Sequence, residues 1–213
     1  MKAKFIPLLL LAFLLFSCGP STQITGAWTK DNISSMGPYK KVYIAALTPN
    51  VNAQNSLENN LAAAARERGI EAVTSKQSFT RTFTQENQPS KAEILDNIRA
   101  QNADAIFTVT LVDKESETRY VPGNTTYAPM AYGPYYGSFY TYYNTMYPIT
   151  YDPGYYATDK IYYLESNLYD AQTEELLWSA QSKTVNPSSI DSFARDYTEA
   201  MIKELVEDGV LKE

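Results

Sequence analysis

Twelve of the eighteen tyrosines fall in residues 120–158, together with five of the eleven prolines and a single charge, Asp152. Proline and glycine recur there too often for a helix or a central strand. The hydrophobic pattern has no clean two-residue alternation, so it gives little support to a membrane-spanning hairpin. This stretch divides the chain into two ordered halves. So many rings will not lie evenly solvated; they must pack on the domain, on each other or on a partner. Tyrosine offers a large rigid surface, loses little rotamer entropy and ends in a hydroxyl, which suits it to contact surfaces. Tyr132, Tyr135, Tyr136, Tyr140, Tyr142, Tyr143 and Tyr147 are the candidate partner-binding residues. Two further readings stand beside protein contact: ring stacking on a glycan, and a folded-back lid over one edge or face of a sheet.

The N-terminus constrains location. Lys2 and Lys4 precede Phe5 to Phe16, twelve uncharged residues broken only by Pro7, and then Leu15-Phe16-Ser17-Cys18. A positive start, a short apolar core and a small residue before the cut describe a secretory signal. The apolar run is shorter than the roughly 20 residues a bilayer span needs. Leu15 to Cys18 resembles the bacterial lipobox, in which the cysteine becomes the first mature residue and carries lipid. An ordinary secretory signal with a spare cysteine is the alternative, but it leaves Cys18 unexplained. The resemblance implies a multiply acylated Cys18, and two or more acyl chains make a stable membrane anchor.

Cleavage before Cys18 leaves 196 residues and, with Lys2 and Lys4 gone, shifts the formal charge from −6 to −8. An acidic chain argues against nucleic acid and against binding anionic lipid by charge. The length suits one domain with a real core. There is no histidine, and Cys18 is the only cysteine. Acylated, it leaves no thiol, which removes the commonest metal ligands, the Ser-His-Asp and Cys-His systems, thiol redox chemistry and any disulfide brace. A carboxylate-only cation site is open in principle, but no EF-hand-like loop is present. No cofactor is expected.

Residues 18–38 read as a lipidated tether, rich in Gly, Ser, Thr, Pro and Asn, with Trp28. The domain is then residues 39–213. Lys41 to Leu47 is a strand closed by Thr48-Pro49-Asn50, and a helix at about 53–68 carries Leu57, Leu61, Ala64 and Ala65 on one face before Gly69. Ile70 to Thr74 is a second strand, and 75–89 a polar loop. Ser90-Lys91-Ala92-Glu93 has a capping-box pattern, followed by Ile94, Leu95 and Ile98. Ala105 to Val112 is the strongest strand, with an apolar face of Ala105, Phe107, Val109 and Leu111. After the insert, Ile161 to Tyr169 and Leu176 to Val185 form a hairpin. A last helix starts with Asn186 as cap and Pro187 at its first position, and carries Ile190, Phe193, Tyr197, Met201 and Leu205. The order β-α-β-α-β-(insert)-β-β-α predicts an α/β (α+β) single-domain sandwich: a mixed sheet of about five strands with packed helices.

Asp113, Glu115 and Glu117 sit two apart after the strong strand, and Glu165 lies inside Tyr163-Leu164-Glu165-Ser166-Asn167-Leu168. These carboxylates are the only candidates for a hydrolase. For the first three a solvated strand end is the favoured reading, with Lys114 and Arg119 alongside. The chain has no G-x-S-x-G, no phosphate-binding glycine loop and no dinucleotide fingerprint.

Tyr120-Val121-Pro122-Gly123, the Tyr/Pro/Gly stretch and Glu165-Ser166-Asn167-Leu168-Tyr169-Asp170 resemble uncharacterised lipoproteins of the Bacteroidetes, over about Lys41 to Leu211. More loosely, the strand-helix plan resembles the envelope domains of TolB and of the curli-export lipoprotein CsgG, although the paired pore-forming strands of the latter are missing. The resemblance implies a domain that docks partners or assembles. In that group acidic residues soon after the cysteine go with surface export, and Gly19-Pro20-Ser21-Thr22 stand here instead, which implies a periplasm-facing outer-membrane anchor. The sequence is thus read as a non-enzymatic envelope lipoprotein. It is held to the membrane through Cys18 and docks a protein partner or itself, with a glycan as rival ligand.

Overall fold

The computed structural model describes residues 21–33, 39–79, 89–121 and 154–212. Its elements are β1 (Thr22–Thr29), β2 (Lys41–Leu47), α1 (Val51–Glu67), β3 (Glu71–Thr74), α2 (Ser75–Ser78), α3 (Lys91–Ala100), β4 (Ala105–Val121), β5 (Tyr155–Asp170), β6 (Leu176–Val185) and α4 (Ile190–Glu207). The six strands form one sheet in the order β1-β6-β5-β4-β2-β3. β2 runs parallel to β3 and β4, with Tyr43 opposite Val73 and Ile106, while β1 runs antiparallel to β6. The sheet is mixed, as the alternation of strands and helices predicts; it has six strands rather than about five.

Chain contacts divide into two units, residues 1–113 with 162–213, and residues 114–161. In the first unit, alternation along the central strands sorts side chains to two faces. Ile44 and Ala46 of β2, with Ala105, Phe107 and Val109 of β4, join the main core with Leu57, Leu61, Ala62 and Ala65 of α1 and Ala194, Tyr197, Met201 and Leu205 of α4. Tyr43, Ala45 and Ile106 point the other way and meet Ile98 of α3. Both faces of β2 and of the first half of β4 are therefore covered by helices. Ser90 caps α3 by accepting the Glu93 backbone N–H at 3.2 Å.

The added strand is β1, inside the segment expected to be a tether. Thr22 pairs with Thr184 and Thr29 with Trp178. The Thr22 and Thr184 hydroxyls are buried and lie 2.8 Å apart. Ile24 packs on the core. The segment's Gly, Ser and Thr content suggests a linker, but Thr22, Ile24, Thr25 and Thr29 are β-branched strand formers that only an available edge, here β6, can organise.

The start of the last helix also differs from expectation. Asn186 has φ 48°, in the left-handed region that Asn tolerates, so Asn186-Pro187 turns the chain out of β6. The cap is Ser189: its hydroxyl accepts the Ser192 N–H, and the Ser192 hydroxyl accepts the Ser189 N–H, each at 3.0 Å. Among the described residues of the polar stretch 75–89, Ser75–Ser78 form the short helix α2, capped by Thr74.

Behind α4, the Tyr197 phenol and the Ser166 hydroxyl are buried together, and Ser166 also reaches Met201 Sδ at 3.3 Å. Burial holds the Tyr197 phenol far above its ordinary range, and its hydrogen bond with Ser166 offsets only part of that. The folded protein thus keeps this proton while an unfolded tyrosine loses it near pH ~10. Any stabilisation from the pair is complete below that pH and is lost as pH rises beyond it. In urea unfolding, Tyr197→Phe is expected to cost about 1 kcal/mol at pH 8, and the gap between parent and variant is expected to narrow from pH 8 to 11. Removing residues 19–29 is expected to lower Tm by about 10 °C or more, at about 2–4 °C per kcal/mol for a domain of this size. A true tether would leave Tm unchanged.

Candidate functional site

The second unit, residues 114–161, is described for 114–121 and 154–161, the outer parts of β4 and β5. Cross-strand contacts fix their register. Thr118 and Thr158 hydroxyls approach to 3.5 Å, and the Tyr120 and Tyr156 rings lie 5.4 Å apart, tilted by 58°. Both pairs fit one antiparallel alignment, in which directly opposed side chains interact. Arg119 Nε donates to Asp159 Oδ2 at 2.8 Å across the same ribbon. Gly154 immediately precedes β5, with φ +83°, and a Cβ there would lie 2.5 Å from the Val121 carbonyl oxygen. Only glycine fits that crossing without displacing backbone. Tyr120, Tyr155 and Tyr156 are 52%, 63% and 76% exposed, so the ribbon presents rings to solvent.

Cys18 and the predicted contact residues Tyr132, Tyr135, Tyr136, Tyr140, Tyr142, Tyr143 and Tyr147 lie outside the described residues. The exposed tyrosines that the structure does place are Tyr120, Tyr155 and Tyr156, within the same stretch.

Asp113, Glu115 and Glu117 are exposed. Glu165 is half-buried, and its Oε1 accepts from Asn167 Nδ2 at 3.0 Å. Among the described residues no three acidic, histidine or cysteine side chains come together as a metal site would require.

The buried acid is instead Glu58, 1% exposed on α1. Its Oε1 accepts from the Ala46 N–H at 3.0 Å, from Ser75 Oγ at 2.5 Å and from Gln54 Nε2 at 3.4 Å, and its Oε2 from the Lys76 N–H at 3.1 Å. The carboxyl group thereby ties the end of β2 to α1 and to the first turn of α2. Four donors from β2, α1 and α2 converge on it, which makes it a structural clasp. Sequence reasoning passed over it, although Glu58 stands three, four and seven residues before Leu61, Ala62 and Ala65 and so shares their buried face.

Near this clasp the first unit opens into an apolar cleft of about 370 Å³. Leu57, Val109, Leu164 and Phe193 lie inside it, and Leu47, Leu111 and Ile190 stand at its rim. It lies beyond the end of β2 and alongside Val109 and Leu111 in the first half of β4. Thr48, Asn50, Tyr162 and Ser189 supply its polar atoms, and no lining residue is charged. Ile190 and Leu111, expected in the core from their spacing, are 37% and 45% exposed because α4 and β4 reach past the packed layers here.

No family model and no curated protein matches this chain. Among solved structures it is similar to the PelC dodecamer from Paraburkholderia phytofirmans, at 17% identity and TM-score 0.44, covering 90% of this chain and 99% of that one. It is also similar to lipoprotein GNA1162 from Neisseria meningitidis, at 13% and 0.40, covering 78% and 98%. A PDZ domain protein from Parabacteroides distasonis matches at 10% and 0.41, covering 86% of this chain and 36% of that one. At these identities the site has to be argued from its own residues.

Replacing Glu58 with Ala would strand two backbone N–H groups and a hydroxyl in a buried place, so a loss of about 2–4 kcal/mol is expected. Glu58→Gln, which keeps an acceptor oxygen, is expected to lose less. Chemical denaturation of the two variants beside the parent checks the order.

Proposed function

We propose that this chain is a non-catalytic lipoprotein of the cell envelope, anchored through Cys18, that docks a protein partner with tyrosines of the β4–β5 ribbon and the insert it carries. The observation that carries the reading is the exposed trio Tyr120, Tyr155 and Tyr156 on a ribbon held in register by Arg119–Asp159 and the opposed threonines. Exposed rings on a rigid support are what protein contact surfaces favour, because little rotamer freedom is lost on binding. The positions of the carboxylates fit the same reading. Asp113, Glu115 and Glu117 are exposed, and Glu58 is filled with donors from its own fold. Attachment through lipid on Cys18 rests on the Leu15-Phe16-Ser17-Cys18 motif, and no described helix is long and apolar enough to cross a membrane. An outer-membrane, periplasm-facing position completes the proposal.

The test is cross-linking in intact cells, comparing the full chain with Tyr120→Ala plus Tyr156→Ala. Both rings are exposed, so the double variant is expected to melt as the parent does. A discrete cross-linked partner that falls at least tenfold in the variant is the expected result. Equal capture by both proteins would overturn the ribbon's role. Saturable binding of a defined glycan, lost in the same variant, would replace the protein partner with a sugar.

A further inference from the structure

Seven large hydrophobic side chains among the described residues of the first unit are exposed, and six of them gather at one end: Leu47, Val51, Leu111, Val112, Val185 and Ile190. The register accounts for the gathering. Leu47 ends β2 beside Thr110 of β4, Val185 ends β6, and Val51 and Ile190 open α1 and α4. The uncharged cleft lies among them. In a chain that is 20% charged, a cleft and rim of this extent without one charged lining residue is a surface built to meet something apolar.

The N-terminal chain enters the fold at this same end. The Val185 N–H donates to the Ser21 carbonyl at 3.1 Å, and Ser21 Oγ donates to Asp196 Oδ2 at 2.7 Å. Thr22 and Thr184 then begin the β1–β6 pairing. Ser21 is therefore pinned, and it stands three residues after Cys18. Three residues span at most about 11 Å. The tether anticipated from composition ran to residue 38; the structure leaves only this short piece before β1. If Cys18 carries acyl chains, as the proposed function holds, the end bearing Leu47, Leu111 and Ile190 is kept within a short reach of the bilayer. The β5–β6 turn lies at the opposite end of β6, a ten-residue strand, about 33 Å away at ~3.3 Å per residue.

We infer that this apolar end is a membrane-docking surface, which seats Leu47, Leu111 and Ile190 in the interfacial layer of the bilayer that holds the Cys18 lipid. The inference rests on the lipid-anchor reading. The partner is a neutral or zwitterionic lipid surface: the cleft offers no cation to an anionic headgroup, and the chain cleaved before Cys18 carries −8. Lipid anchor and apolar face are two separate membrane contacts, and together they fix the orientation of the domain as one flexible anchor cannot.

The experiment uses the full-length protein, expressed with its own leader and reconstituted in phosphatidylcholine vesicles. Acylation of Cys18 removes the only native thiol, so Ile190→Cys gives a single site for an environment-sensitive fluorophore, and Glu174→Cys in the β5–β6 turn gives the control. The expected result is a blue shift with at least a threefold intensity gain at position 190, quenched by lipids brominated in the acyl chain, and no change at 174. Adding Leu47→Asp and Leu111→Asp, both at exposed positions, is expected to abolish the response at 190 without altering the melt. Flat signals at both positions in protein whose Cys18 is acylated by mass spectrometry would overturn the docking surface and leave the anchor standing. An unacylated Cys18 would overturn both. A probe at 190 already shielded before vesicles are present would overturn the inference too, since protein would then cover the patch.

Discussion

The carboxyl group of Glu58 is where three pieces of the first unit become one. It accepts the Ala46 N–H near the end of β2, the Lys76 N–H in the first turn of α2 and the Ser75 hydroxyl, while its own backbone belongs to α1. An acid in this position is tolerable only because its donors are supplied by the fold. Those donors are in place only when β2, α1 and the β3–α2 junction have all assembled. The group thus couples the covering helix to the parallel strands, and the cleft at their ends keeps its shape by the same means. Asp104 plays a smaller version of this part at the other end of β2, where its Oδ2 accepts the Lys40 and Lys41 N–H groups at 2.8 and 3.0 Å.

Much of this architecture is legible in the sequence because β2, β6, the first half of β4 and the second half of β5 are runs of strand formers and α1, α3 and α4 carry apolar residues at helical spacing; the charged continuation of β4 to Val121 and the start of β5 at Tyr155 lie outside those runs. What is not legible has two physical causes. β1 is an edge strand whose eight residues include only Ile24, Ala27 and Trp28 as apolar members, and its state is decided by β6, about 150 residues away. Local pattern carries no trace of such a partner. The displaced start of α4 has a different origin: Asn186 and Pro187 satisfy the rules for a helix start, yet Asn also satisfies the rules for a left-handed turn, and the exit from β6 demands the turn.

For the site, the tyrosine-rich stretch is plain in the composition, and its flanks place three exposed rings on a registered ribbon. The apolar end was not legible. Leu111 and Ile190 continue the core-facing spacing of their elements, and nothing in that spacing marks the point at which an element outruns the layer covering it. Only the three-dimensional placement of the end of β2, the middle of β4 and the start of α4 shows that point.

The pairing of β1 with β6 also bears on how such a chain is made. Its first strand, Thr22–Thr29, finds its partner only in Leu176–Val185, so the sheet cannot close at this edge until nearly all of the chain is available. Contacts so distant in sequence form late, after the cost of closing a long loop has been met. If the chain is exported, as the proposed function holds, it gains from this order. Its leading segment has nothing to pair with during passage, and the finished edge forms only after the last strand has followed the first across.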